Sequence, residues 1–316
     1  MSPTMAPRKP KNRKPGEATY QGILREHDVA SHQRTKRVEL LRELSSEAYN
    51  GSPGPHAVVA HLSSASLEAG DLAILANVLL EFGDVKTLNL VLESPGGDGT
   101  QVEKFVALCR NQCERFRVII PNEAKSAATL VALGADQIVM GPTSELGPID
   151  AQIPVNISGF PRYMSAQSFV DARDNTLLAI DERKRTGQDI DGQLQLLSTL
   201  DLPFIAECER LMEFGRDVGE QLLSKHMFAA DPDPAGKAKS VVANFSSVAV
   251  HKVHGRLING PMAKTLGLNV QSCGRSDPFW KLVMEYYQRA RVSTEMDRST
   301  KMFETEHNRF AAKGRS

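Results

Sequence analysis

Leu88-Asn89-Leu90-Val91-Leu92, running into Ser94-Pro95-Gly96-Gly97-Asp98-Gly99, is the stretch whose reading decides the fold. A short unbroken apolar run, closed at once by a proline–glycine turn, is the pattern of a strand buried on both faces. Working outward, Ala57-Val58-Val59-Ala60-His61-Leu62 is a second such run, Phe116-Arg117-Val118-Ile119-Ile120 a third and Gln137-Ile138-Val139-Met140 a fourth. Helical spacing fills the gaps. Asp71 to Phe82 carries Leu72, Ile74, Leu75, Val78, Leu79 and Leu80; Gln101 to Cys113 carries Val102, Phe105, Val106, Leu108 and Cys109; Ser126 to Gly134 follows the third strand. Strands alternating with helices predict an α/β fold, with a parallel sheet flanked by helices and right-handed crossovers. In such sheets the chemistry sits outside the carboxyl ends of the strands, where Gly96 and Ser126 both fall.

The bulk numbers narrow the class. An apolar fraction of 41% over 316 residues supports a real core, and 38 Lys and Arg against 38 Asp and Glu leave no net field suited to nucleic acid. Four scattered cysteines (Cys109, Cys113, Cys208, Cys273) predict neither a disulfide framework nor a metal site, and favour a reducing interior. No run of 18 apolar residues appears, so no transmembrane segment is expected. Met1 to Lys14 is basic and proline-rich without an apolar centre, unlike a secretory signal. Residues 1–34 are expected to form a disordered basic tail and 35–277 one domain, with a helical insertion at 153–249. The turn-rich stretch 152–165 reads as a mobile loop, and Gln167–Lys184 and Gln193–His226 as helices. Residues 278–316, charged with sparse apolar positions, read as an exposed helical C-terminal arm suited to assembly.

Two loops carry the candidate chemistry. Pro95-Gly96-Gly97 is either an ordinary tight turn or a set of backbone N–H donors left open by missing Cβ atoms. Ser126 begins a helix, as an N-cap would, yet it also stands where a nucleophile beside those donors would stand. The N–H of Ala127 is then a second donor. Lys125 directly precedes Ser126 and points elsewhere. Asp150 closes the rigid turn Leu146-Gly147-Pro148-Ile149-Asp150, and His251 and His254 flank Lys252-Val253 just ahead of Gly255-Arg256-Leu257-Ile258.

Leu90–Gly97, Ala124–Asp136, Leu146–Gln152 and the stretch from His254 to Val270 together resemble the serine dehydrogenase proteinase family. That family is a distant branch of the Clp protease and signal peptide peptidase A group, with the ClpP/crotonase-like fold. The resemblance implies Ser126 as nucleophile, with Gly96, Gly97 and Ala127 lining an oxyanion hole. It implies Asp150 as the orienting carboxylate and His254 as the base, His251 being second choice. The activity implied is that of an ATP-independent serine endopeptidase, cytoplasmic and homo-oligomeric, acting on peptides or unfolded protein without cofactor or metal. Relatives carry glycine at one or both positions after the nucleophile, where this chain has Ala127 and Ala128. A Ser–Lys dyad using Lys184 or Lys225 is the rival catalytic pair. A thioester hydrolase and a non-catalytic assembly protein are the rival functions.

Overall fold

The computed structural model describes residues 30–157, 159–247, 251, 253 and 255–313; His254 and most of the expected basic tail lie outside the described residues. Helices α1 (Ala30–Leu44) and α2 (Glu47–Asn50) precede β1 (His56–Ser63), α3 (Ala69–Leu79), β2 (Val85–Glu93) and α4 (Val102–Arg110). Then come β3 (Cys113–Ile120), the two-residue β4 (Glu123–Ala124), α5 (Ala127–Leu133), β5 (Gln137–Met140) and β6 (Glu145–Leu146). The continuous apolar runs become parallel neighbours, with Val59 opposite Leu90, Leu90 opposite Val118 and Val118 opposite Ile138.

Side chains alternate across this sheet, as strand geometry requires. Leu88, Leu90, Leu92, Val118 and Ile138 enter one core with α3, α4 and α5; Val58, Ala60, Val91, Ile119 and Val139 enter another with α1 and the C-terminal helix. Both faces are therefore covered, which explains strands without polar alternation.

The chain continues through β7 (Gln152–Ile157), β8 (Phe160–Ser165), α6 (Ala166–Arg185), α7 (Asp191–Ser198), α8 (Leu202–Lys225) and α9 (Pro234–Ser246). It ends with β9 (Ile258–Asn259), α10 (Gly260–Thr265), β10 (Val270–Ser272), α11 (Pro278–Asp297), β11 (Ser299–Glu304) and β12 (Arg309–Lys313). The seven-stranded order is β10-β5-β3-β2-β1-β11-β12, and β4, β6 and β9 form a small sheet beside it. Among the described residues no helix is long and apolar enough to cross a membrane.

Three expectations are corrected. In the 152–165 stretch, β7 and β8 pair antiparallel, Ile153 facing Met164 and Val155 facing Arg162. Its Pro154 is tolerated because a two-stranded ribbon is all edge. The single helix expected over Gln193–His226 is two, α7 and α8, parted where Asp201 caps α8 by accepting the Phe204 N–H at 3.0 Å.

The third correction is the largest: residues 278–313 are no exposed arm. Phe279, Trp280, Leu282, Val283, Tyr286 and Ala290 of α11 are buried in the core, and β11 pairs antiparallel with β1, His61 opposite Phe303. Two of the segment's buried charges, Lys301 and Glu304, find partners far away in sequence. Arg37 of α1 donates to Glu304 at 2.9 and 3.1 Å, and Tyr286 donates to the same carboxylate at 2.8 Å. Arg34 also reaches in, donating to the Thr305 carbonyl at 2.9 Å, so the end of the expected tail is part of the fold.

Candidate active site

The strand that ends at Glu93 turns through Ser94-Pro95-Gly96-Gly97, and β4 delivers Lys125 and Ser126 alongside it. Backbone bonds fasten the two: the Ser94 N–H donates to Glu123 O at 3.1 Å, and the Lys125 N–H to Ser94 O at 3.0 Å. Contact at the tip is close. A Cβ placed on Gly96 would stand 2.6 Å from Lys125 O, 2.7 Å from Ser126 Cβ and 3.2 Å from the Ala127 nitrogen. Only glycine fits there, and Gly96 is also held at φ +97°.

Gly97, at φ +145°, lies against the other neighbour, the backbone of Leu67. The Leu67 N–H donates to Gly96 O at 2.7 Å, and the Asp98 N–H donates to Leu67 O at 2.9 Å. The Gly96 N–H is taken by Ser94 Oγ at 3.2 Å. Among the described residues the Gly97 and Ala127 N–H groups are left without a partner. Gly96 thus lines the site with a bare Cα, while Gly97 and Ala127 hold the open donors.

Ser126 sits at φ 50°, ψ −118°, one of two non-glycine residues with positive φ among those described. Such a conformation costs about 1–3 kcal/mol and persists only where surrounding structure enforces it. Its hydroxyl makes no capping bond to the helix it precedes. The N-cap reading of this serine is therefore set aside: the half-buried side chain stands at the loop junction with its oxygen uncommitted to the helix.

The enforcement is visible. All seven residues of α5 are buried, and Thr129 on its first turns ties three segments together. Its hydroxyl donates to Ala124 O at 2.7 Å and accepts the Gly147 N–H at 3.2 Å. Lys125 is ion-paired with Glu145 and leans over Gly147, away from the serine. Replacing Thr129 by valine keeps the shape and removes the oxygen. The expected cost is about 1–3 kcal/mol of stability, a fall of at least about 2 °C in melting temperature. A melting curve superimposable on the wild type would show that this hydroxyl does not hold the junction.

Asp150 follows the same Gly147 turn and is 8% exposed, with Oδ2 accepting from Gln152 Nε2 at 2.7 Å. It lines a small cleft with Ser165, Gln167, Arg216 and Ser246. The segment that carries the two candidate histidines has both ends beside this turn. Ile149 N–H donates to Phe245 O at 3.0 Å, and Ile258 pairs with Leu146. His251, the second-choice base, is buried with Nε2 2.7 Å from Asn244 O. His254 is outside the described residues.

The rival lysines stand elsewhere. Lys184 is exposed in the last turn of α6, and Lys225 is exposed at the end of α8, next to His226 and its neighbours Arg110 and Asp136. Asp136 precedes β5, at the amino end of the sheet and opposite Ser126. Neither is the desolvated amine that a dyad needs.

Sequence reasoning did not single out Glu93, Asn122 or Thr129, nor the Leu67 strip beside the glycines. Their roles arise from pairing between distant segments. The sole local signal was the position of Glu93, next to the glycine turn.

Residues 73–199 match the model of the ClpP-like SDH-type serine proteinase family, the family that the motifs around Leu88–Asp150 resemble. Two uncharacterized proteins of Methanocaldococcus jannaschii are similar over short segments. One is 42% identical over 71 residues, 22% of this chain and 24% of that protein; the other is 28% identical over 102 residues, 31% and 34%. The chain thus spans about a quarter to a third of the length of the curated relatives it matches. Among solved structures, a mutant of the 1510-N membrane-bound stomatin-specific protease is 13% identical, covering 67% of this chain and 94% of that one with a TM-score of 0.29. An enoyl-CoA hydratase from Mycobacterium avium subsp. paratuberculosis is 11% identical, covering 60% and 88% with a TM-score of 0.23.

Proposed function

We propose that this chain, whose residues 73–199 match the model of the ClpP-like SDH-type serine proteinase family, is a member of that family and an ATP-independent serine endopeptidase with Ser126 as its nucleophile. One observation carries the reading: a serine held at positive φ, uncommitted as a cap, lies against a glycine loop whose next N–H is open. In this mechanism Ser126 Oγ attacks the scissile carbonyl of a peptide or unfolded chain. The developing oxyanion is received by the N–H groups of Gly97 and Ala127, with the bare Cα of Gly96 giving it room. His254 takes the serine proton and returns it to the leaving amine, and Asp150 orients that imidazole.

The position of Asp150 on the turn tied to Ala124 and Thr129 supports its part, and both ends of the His254 segment lie beside that turn. Self-association belongs to the same reading. Leu177, Leu178, Leu194 and Leu196 offer exposed apolar surface on α6 and α7, the latter having no buried residue.

A fluorophosphonate probe tests the assignment on the full chain. Covalent labelling that peptide mass spectrometry places on residue 126, and that Ser126→Ala removes, is the expected result. Folded protein that takes up no probe, or labels at another residue, would overturn it in favour of a non-catalytic protein or another nucleophile.

A further inference from the structure

The glycine loop is supported from behind by residues beyond the family match. Glu93 ends β2, one step before Ser94, and is 5% exposed. Its Oε1 accepts from Asn122 Nδ2 at 3.0 Å and from the Tyr287 hydroxyl at 2.6 Å, while Arg291 Nη1 lies 3.7 Å from Oε2. Asn122 immediately precedes β4, the strand leading to Ser126; Tyr287 and Arg291 belong to α11. One carboxylate thus joins the strand that ends in the glycines to the strand that ends in the serine. Residues of the C-terminal helix complete its shell, and bonds to an ionised acceptor are the stronger kind.

A second support comes from β11. Lys301, almost fully buried, donates to Glu68 Oε1 at 2.8 Å and to Asp71 Oδ2 at 2.9 Å. Glu68 follows Leu67, whose backbone brackets Gly96 and Asp98. The glycine pair is therefore held between Leu67 on one side and Ser126 on the other. Each side is braced by a separate side chain from residues 278–313.

We infer that residues 278–313 are a positioning element for the candidate oxyanion loop, with Tyr287 acting through Glu93 and Lys301 through Glu68 and Leu67. Open amide donors lower a barrier only when fixed in advance, and small displacements forfeit much of the effect. The catalytic consequence rests on the proposed role of Ser126; the mechanical one does not.

Tyr287→Phe removes one hydroxyl and Glu68→Gln one charge at an exposed side chain, so both keep the packing. Lys281→Ala, on the exposed side of α11, is the control. Hydrogen exchange of peptides covering 93–99 reads the loop directly, because the Gly96 and Asp98 N–H groups are bonded there. Exchange in that peptide is expected to rise about tenfold in each variant and not in the control. The limiting rate of fluorophosphonate labelling is expected to fall about tenfold, with the apparent probe affinity within about twofold. Unchanged exchange at 93–99 in both variants overturns the inference. Raised exchange in a protein whose wild type never labels would uphold it while removing Ser126 as nucleophile.

Discussion

Gly96→Ala is expected to lower fluorophosphonate labelling and peptide turnover by at least about 10³-fold. The added methyl would stand 2.6 Å from Lys125 O and 2.7 Å from Ser126 Cβ. The first is backbone tied into the Ser94–Ala124 pairing, and the second belongs to the nucleophile itself, so neither gives way like the end of a flexible side chain. The loop must withdraw, taking Gly97 and its open N–H away from the serine. Loss of one oxyanion donor costs about 10²–10³ in turnover, and a shifted serine adds to it. An alanine at φ +97° also costs about 1–2 kcal/mol of conformational energy, so a lower melting temperature accompanies the loss. Gly99→Ala separates crowding from mere loss of a glycine, because a Cβ there meets nothing within 4 Å. It is expected to label like the wild type. A Gly96→Ala protein that labels within about tenfold of the wild-type rate would refute the juxtaposition on which the mechanism depends.

How much of this was legible in the chain depends on where each segment's partners lie. The strands at 57–62, 88–92, 116–120 and 137–140 were plain because each is apolar throughout, and a parallel sheet buried on both faces leaves only that pattern. Ser126 and Gly96 were legible as strand-end residues in a sheet of this kind. The backbone conformation of Ser126 was not, since no residue type encodes a positive φ at serine.

The C-terminal segment misled for a definite reason. Lys301, Glu304, Glu285 and Arg289 look like a solvated face when charge is equated with exposure. Yet Lys301 is matched by Asp71 and Glu68, Glu304 by Arg37 and Tyr286, and Arg289 donates to Glu285 at 2.8 and 3.0 Å within the core. The Lys301 and Arg37–Glu304 pairings each bridge more than two hundred residues and leave no periodic trace. The β7–β8 pairing at 152–165 was hidden differently. Ile153 and Val155 keep the alternation of a strand, but Pro154 and Pro161 spoke for a turn, and only the isolation of this ribbon makes them tolerable.

His61 makes the second large effect, on stability. It sits fully buried in the middle of the sheet, its ring stacked on Phe303 at 4.2 Å and tilted against Phe105 at 6.0 Å. Neither ring nitrogen has a hydrogen-bond partner among the described residues. Burial, and after it the charge of Lys301, push its pKa down from 6.5 to about 3. The unfolded chain therefore binds a proton between these values that the folded chain refuses. Stability is unaffected above about pH 7 and is lost as pH falls below 6.5, by about 1.4 kcal/mol per unit, until the folded imidazole itself titrates. Near pH 4 the accumulated loss is on the order of 3 kcal/mol, a large part of a typical domain's total. His61→Leu, similar in volume and unable to titrate, is expected to match or exceed the wild type at pH 7.5, because two orphaned nitrogens leave an apolar site. At pH 5 it should be the more stable by about 2 kcal/mol. Urea midpoints for both proteins at the two pH values check this, and equal losses on acidification would show that His61 accepts its proton without unfolding the sheet around it.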